Sequence, residues 1–199
     1  MANYCFFTMY AEGKPESIDE LVARMVTEYD HDKGVGNRPH FWGVFGVDVD
    51  DKAPRTEGTR LVEISGQCPW SVWSCMTDGE DSVARSKAED PKLAPYCTSL
   101  KKTANEFGIE IEVFSDEPTG CVEEHFHYSP NGLSVEEWCE YEEIDWDSDE
   151  YPTFADLDAE YDLTEQGIKE DDYCPDETIK IGGYDDLVPF CYPPDAASE

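Results

Sequence analysis

Positively charged residues are scarce in this chain. Its 199 residues include only 14 Lys and Arg against 47 Asp and Glu, which gives a formal net charge of −33. Proteins that bind nucleic acid or anionic lipid rely on Lys and Arg, so this composition excludes both activities as the main role. We therefore expect a partner that is itself basic.

Long apolar runs and familiar catalytic signatures are also missing. No stretch approaches the roughly 18 apolar residues of a membrane-spanning helix, and residues 1–10 lack the basic start and long apolar run of a signal peptide. The P-loop, G-x-G-x-x-G, H-E-x-x-H and G-x-S-x-G motifs do not occur. We expect a cytoplasmic protein that is not an enzyme and that uses no cofactor.

Eight cysteines are present, but none belongs to a CxxC pair. Without a secretion signal, the simplest expectation is that they are reduced and structural. A zinc site built from Cys68, Cys75, His125 and His127 is conceivable, although structural zinc ligands normally come in closely spaced pairs. The two histidines alternate on a predicted strand beside two glutamates and could instead supply a general base. A small enzyme or metal protein therefore remains an alternative.

Hydrophobic periodicity predicts an α+β fold for the first two thirds of the chain. Alternating or short apolar runs predict strands at residues 4–10, 40–49, 61–76, 109–113 and 121–128. Residues 61–76 fit one long strand or a bent pair of strands, and the last two strands are expected to form a hairpin. Apolar residues at helical spacing predict two helices, over residues 17–29 and 95–107, the first capped by Ser17 and the second stopped by Gly108. The polar residues 78–91 between the strands and the second helix are predicted to form a loop. The order β-α-β-β-α-β-β indicates a ferredoxin-like sandwich, in which two helices cover one face of a mostly antiparallel sheet.

Three segments carry a resemblance to a known family. They are the opening Met-Ala-Asn-Tyr-Cys, the stretch Trp-Ser-Val-Trp-Ser-Cys-Met at 70–76, and residues 114–128, which begin Phe-Ser-Asp-Glu-Pro and end Glu-His-Phe-His-Tyr. Together they resemble the YubB-type ferredoxin-like domain of phage and plasmid proteins over residues 1–133. The resemblance implies a mobile-element setting and assigns no catalytic residue.

The acidic residues are concentrated after this region. Residues 134–177 hold nineteen carboxylates and a single base, Lys169, a net charge of −18. Such density opposes compaction and far exceeds what solubility requires. Interleaved aromatic residues argue against a disordered tail. We expect residues 134–199 to form a folded acidic α/β elaboration that packs on the domain of residues 1–133.

Periodicity predicts how this elaboration displays its charge. Residues 143–149 alternate acidic and other residues, which predicts a strand with carboxylates about 6.7 Å apart on one face. A turn or two of helix is expected over 136–143, and a helix capped by Thr153 is expected to end at Gly167. The predicted partner-binding residues are the outward carboxylates Glu140, Glu143, Asp145, Asp147, Asp149, Asp156, Asp158, Glu160 and Asp162.

The acidic segment favours a nucleic-acid mimic. In this hypothesis a phage or mobile element uses the protein to inhibit a host defence system, as anti-restriction and anti-CRISPR proteins do. Its carboxylates would occupy the basic nucleic-acid-binding surface of a CRISPR effector or a restriction enzyme. The alternatives are an acidic interaction module whose basic partner is not competed by nucleic acid, and the small enzyme or metal protein centred on His125 and His127.

Overall fold

The structure is a computed structural model, and it describes residues 3–26, 29–30, 35–36, 41–79, 82–132, 134–172 and 177–183. The strands in these residues are β1 (Tyr4–Gly13), β2 (Tyr29–Asp30), β3 (Val35–Gly36), β4 (Phe45–Lys52), β5 (Arg60–Pro69), β6 (Glu110–Glu117), β7 (Val122–Tyr128), β8 (Ser134–Asp145) and β9 (Thr178–Gly182). The helices are α1 (Pro15–Met25), α2 (Val83–Ala88), α3 (Leu100–Phe107) and α4 (Phe154–Tyr161). Short 3-10 turns occur at Trp73–Cys75, Ala94–Tyr96 and Glu170–Asp172.

Seven strands form one antiparallel sheet in the order β4-β5-β1-β6-β7-β8-β9, and β2 pairs separately with β3. The predicted ferredoxin-like sandwich with two helices is therefore wrong, because the fold is more dominated by its sheet. Residues beyond Tyr128 supply two further strands to the sheet, and the predicted polar loop before residue 91 contains the additional helix α2.

The chain divides into two compact units, with the boundary between Trp138 and Cys139 inside β8. The first unit contains β1 to β7 and the first three helices. Its core gathers side chains from the central strands and from α1 and α3, including Met9, Leu21, Ile64 and Val113. The second unit has a smaller core of its own.

Helix α1 begins two residues earlier than its predicted cap. Lys14 occupies the N-cap position and Pro15 the first turn, where a missing N–H costs nothing. Ser17 therefore lies inside the helix, and its hydroxyl donates to the carbonyl of Phe107 instead of capping. The predicted apolar face is confirmed as far as Met25, because Ile18, Leu21 and Met25 are buried. The helix does not reach residue 29 as predicted: it ends at Met25, Val26 is 49% exposed and Tyr29 belongs to β2.

Other boundaries moved for local reasons. The long strand predicted over 61–76 ends at Pro69, since Trp70 has a left-handed backbone with φ of 62° and redirects the chain into a 3-10 turn. The second helix, α3, begins later than predicted, at a Ser99 cap, and stops at Gly108 as predicted, with φ of 63°. The hairpin of β6 and β7 is confirmed by a continuous antiparallel register.

In the second unit, two predictions are wrong. The helix expected over 136–143 is part of strand β8, in which Cys139 and Tyr141 alternate with the exposed Glu140 and Glu142. The strand expected over 143–149 stops at Asp145, since the backbone N–H groups of Glu150 and Tyr151 both turn back to the carbonyl of Asp147. Asp147 and Asp149 consequently lie in a turn.

Helix α4 confirms the Thr153 cap. The Thr153 hydroxyl accepts from the N–H of Asp156, and the Asp156 carboxylate accepts in return from the N–H of Thr153, which makes a complete capping box. The helix ends at Asp162, in a left-handed conformation, and not at Gly167 as predicted. It closes a core whose buried members are Ile144, Trp146, Phe154, Leu157, Leu163 and Ile179.

The core of the second unit should determine whether its acids are held in place. Leu157 is fully buried there, so Leu157→Ala should destabilise this unit by about 2 to 5 kcal/mol. Hydrogen exchange would detect this as faster exchange of the α4 amides, with α3 amides unchanged. Ala155→Gly, at an exposed site of the same helix, should cost about 1 kcal/mol. Equal exchange in wild type and Leu157→Ala would contradict the assignment of this core.

Candidate functional site

The exposed carboxylates of the second unit are the first candidate site. Eleven of them make no side-chain hydrogen bond or ion pair with any described residue, and we call this set the acidic surface. Its members are Glu140, Glu142, Glu143, Asp149, Glu150, Glu160, Asp162, Glu165, Glu170, Asp171 and Glu177. Five of these belong to the predicted partner-binding set, namely Glu140, Glu143, Asp149, Glu160 and Asp162.

Three other predicted site residues have structural roles. Asp147 accepts from the N–H of Asp149 and so holds the turn after β8. Asp156 completes the cap of α4, and Asp158 accepts from both the N–H and the hydroxyl of Thr164, at 2.6 and 2.9 Å. Because these carboxylates already have donors, they are less available to a partner. Asp145 ends β8, and its side chain lies outside the described residues.

Bases do little to neutralise this unit. In the described part of the second unit only Lys169 and Lys180 are basic. The Lys180 ammonium lies 4.3 Å from the centre of the Tyr141 ring, across the β8-β9 pair, and Lys169 is exposed. The pKa of Tyr151 is raised to about 12, first by its hydrogen bond with Tyr161 and then by burial and by nearby carboxylates, including Glu150.

In the first unit, several acids are paired with Lys or Arg side chains. Arg55 bridges Glu12 and Glu110, with nitrogen-to-oxygen distances of 2.8 and 2.6 Å. Burial opposes ionisation of Glu12, yet hydrogen bonds from Thr59, Arg55 and the Thr56 N–H lower its pKa. Further ion pairs join Arg60 to Asp19 and Asp51, Lys52 to Asp50 and Glu63, and Arg24 to Glu20. Five of the ten described Lys and Arg side chains of this unit are thus paired with acids, Lys102 with Asp78 being the fifth.

His125 and His127 lie within this network. The Nε2 atom of His125 is 2.9 Å from Glu112, its Nδ1 atom is 3.5 Å from Glu137, and its ring stacks on Phe114. His127 contacts Glu110 at 3.0 Å. The pKa of His125 is raised, mainly by the hydrogen bond with Glu112, while burial acts in the opposite direction. These contacts are those of ion-pair members in a packed sheet.

The cysteines do not join the histidines in a cluster. Cys68 and Cys75 are buried in the first core together with Cys5. Among the described residues no group of three or more His, Cys, Asp or Glu side chains has the arrangement of a metal site. The hydrogen bond with Cys68, followed by burial, raises the pKa of the Cys5 thiol, which makes it unreactive.

A second candidate site was missed by the sequence analysis. A cleft of about 560 Å³ in the first unit is lined by the side chains of Trp70, Trp73, Phe126 and Trp138, together with several polar residues that include Glu117 and Glu124. We call it the tryptophan cleft. The sequence signal for this cleft is the Trp-x-x-Trp spacing at 70–73, which falls within the stretch predicted as strand over 61–76.

Glu124 holds in place the turn that carries Trp73 at this cleft. Its carboxylate accepts from the N–H groups of Val72 and Trp73, at 2.7 and 3.1 Å, and from the Ser115 hydroxyl at 2.7 Å. These bonds hold the turn that carries the tryptophans, and burial raises the pKa of Glu124 despite them. The left-handed backbone of Trp70, which costs roughly 1 to 2 kcal/mol for a residue with a side chain, leaves its ring 40% exposed.

Comparisons with known proteins indicate neither a family nor a function for this chain. No family model, no curated protein and no solved structure matches the chain. None of the helices in the described residues is both long and apolar enough to span a bilayer.

The Glu112 contact gives a prediction for His125. Because the partner stabilises the imidazolium, we expect a pKa above the ordinary value of about 6.5. The contribution of this pair to stability is complete below that value and is lost as the pH rises through the higher pKa of the folded protein. NMR titration of the His125 ring should show the shift, and Glu112→Gln should lower the pKa.

Glu137→Gln is the matched control, because its carboxylate is farther from the ring, at 3.5 Å, and more exposed. It should lower the His125 pKa by less than Glu112→Gln does. A pKa at or below 6.5 in the wild-type protein would contradict the interpretation.

Proposed function

We propose that this protein inhibits a host nucleic-acid-targeting defence system by acting as an acidic mimic of nucleic acid. The target is a CRISPR effector or a restriction enzyme, and the setting is a phage or another mobile element. The setting rests on the resemblance of residues 1–133 to YubB-type domains. The mechanism is competition, since the inhibitor and the nucleic acid would require the same Lys and Arg side chains.

The observation that carries the proposal is the contrast between the two units. In the first unit five of the ten described Lys and Arg side chains pair with acids, as in the Arg55 bridge between Glu12 and Glu110. In the second unit the eleven carboxylates of the acidic surface make no ion pair with any described base. An apolar core and a capped helix hold their backbone in place, so binding a basic surface requires less ordering of the inhibitor than a flexible acidic tail would.

The physics of such binding favours fast and salt-sensitive association. A surface of one charge sign raises the encounter rate with an oppositely charged partner, and added salt screens it over about 10 Å at 0.1 M. The carboxylates would replace phosphates as acceptors for Arg and Lys. The turn at Asp147 excludes a regular row of carboxylates about 6.7 Å apart. The proposed mimicry does not require such a row.

Neutralisation of the acidic surface tests the proposal. The variant Glu140→Gln, Glu143→Gln, Asp149→Asn and Glu160→Gln removes four charges that make no contacts within the described chain. If each contributes about 0.2 to 1 kcal/mol, affinity for the target should fall by about 4-fold to 1,000-fold. The measurement is displacement of labelled DNA or guide RNA from purified restriction and CRISPR effector enzymes, at low and raised salt.

A matched control removes the same four charges from the first unit. The variant Glu16→Gln, Asp48→Asn, Glu57→Gln and Glu89→Gln changes exposed side chains that have no hydrogen bond or ion pair with a described residue, and it should inhibit like wild type. A partner that binds equally well with and without nucleic acid would support the interaction module instead. Equal loss in both variants would show that net charge alone matters, and no inhibition of either class of enzyme would reject the proposal.

A further inference from the structure

The tryptophan cleft has the volume of a ligand site. About 560 Å³ lies within the range typical of small-molecule pockets, and all of its lining residues belong to the first unit. What it could bind follows from its walls and from one carboxyl oxygen. The inference does not depend on the acidic surface.

The walls present aromatic faces at fixed positions. Trp73 stacks on Phe126 with ring centres 6.2 Å apart and planes only 11° from parallel. Gly79 permits this position, because a side-chain carbon there would come within 2.8 Å of the Trp73 ring nitrogen. Trp70 and Trp138 are 40% and 70% exposed, which is unusual for such large apolar rings in one place. Aromatic faces of this kind attract flat or cationic groups.

Glu117 gives the cleft a hydrogen-bond acceptor that has no donor among the described residues. It lines the cleft and its side chain is only 7% exposed, yet its Oε1 atom is buried and has no hydrogen-bond partner among the described residues. The other oxygen, Oε2, fills the space beside Gly120, where any side-chain carbon would collide with it. A buried acceptor without a donor is costly, so a ligand that donates a hydrogen bond there is favoured.

The remaining carboxylates of the cleft already have donors. Glu124 accepts from two backbone N–H groups and from Ser115. Glu136 accepts from the Tyr128 hydroxyl at 3.1 Å and from Ser134 at 3.3 Å. Both still add negative charge around the cavity. A ligand for this cleft should therefore be cationic, should carry N–H donors, and should be flat enough to stack on indole.

We propose that the tryptophan cleft binds a guanidinium group, either of free arginine or of an arginine side chain in a peptide. Guanidinium combines a delocalised positive charge, a plane that stacks on tryptophan and several N–H donors. A quaternary ammonium lacks the donors, and a lysine ammonium lacks the plane. In the bound state the Glu117 carboxylate rotates toward the cleft, so that its otherwise buried Oε1 atom accepts from one guanidinium N–H while the plane lies against the tryptophan rings.

The test follows the indole N–H signals of isotope-labelled protein by NMR. The chain has five tryptophans, and Trp→Phe variants assign their signals. N-acetyl-arginine methylamide should shift the signals of Trp70, Trp73 and Trp138 in a saturable way, and should leave that of Trp146 in the second core unchanged. N-acetyl-citrulline methylamide, which has nearly the same shape without the charge, should bind at least about tenfold more weakly.

Glu117→Gln should weaken binding of the arginine compound about tenfold or more, because it removes the charged acceptor. Glu57→Gln, at an exposed site of the first unit that does not line the cleft, should bind like wild type. Trp138→Ala gives a second test that does not threaten the fold, since this ring is mostly exposed. Phe6→Ala, which removes an exposed ring that does not line the cleft, is its control.

Three results would overturn the proposal. They are equal binding of the citrulline and arginine compounds, tighter binding of N-acetyl-lysine methylamide than of the arginine compound, and unchanged affinity in both Glu117→Gln and Trp138→Ala. Comparison with free arginine then distinguishes the sources. Tighter binding of the capped compound indicates a peptide ligand, and tighter binding of free arginine indicates a small molecule.

Discussion

Repulsion among carboxylates is the constraint that shapes this protein. With 47 acids and 14 bases, the chain cannot neutralise its charge internally. In the first unit Arg55 offsets the cost of burying Glu12, which it bridges to Glu110. In the second unit the bases are too few for that solution. Its cohesion comes from the apolar core around Leu157 and Trp146, and its acids remain at the surface.

Several carboxylates of the second unit stabilise its backbone by accepting hydrogen bonds. Asp156 caps α4, Asp158 holds the Thr164 backbone and Asp147 closes the turn after β8. Each accepts backbone N–H groups, which stabilise a negative charge without any Lys or Arg. These hydrogen bonds help so acidic a segment to fold. In the folded unit some acids stabilise the backbone, and the others remain exposed at the surface.

In the tryptophan cleft, two buried glutamates differ in how many hydrogen bonds their oxygens accept. Glu124 is fully supplied with donors and organises the turn that bears Trp73, whereas Glu117 keeps one buried oxygen without a donor among the described residues. Two glutamates near each other thus have distinct roles that their environments assign. The acidic surface and the cleft both favour cationic ligands, but the first offers many exposed charges and the second a single defined acceptor between aromatic rings.

Local patterns in the sequence were enough to predict the apolar face of α1, the Gly108 stop, the Thr153 cap and the β6-β7 hairpin, because each depends on residues close in the chain. They also located the acidic segment and its aromatic anchors. They could not predict that β8 and β9 extend the sheet, since strand pairing depends on distant partners, nor that Asp147 turns the chain. The cleft was beyond reach for the same reason: Trp70, Glu117 and Trp138 meet only in the tertiary structure, where burial leaves one oxygen without a donor.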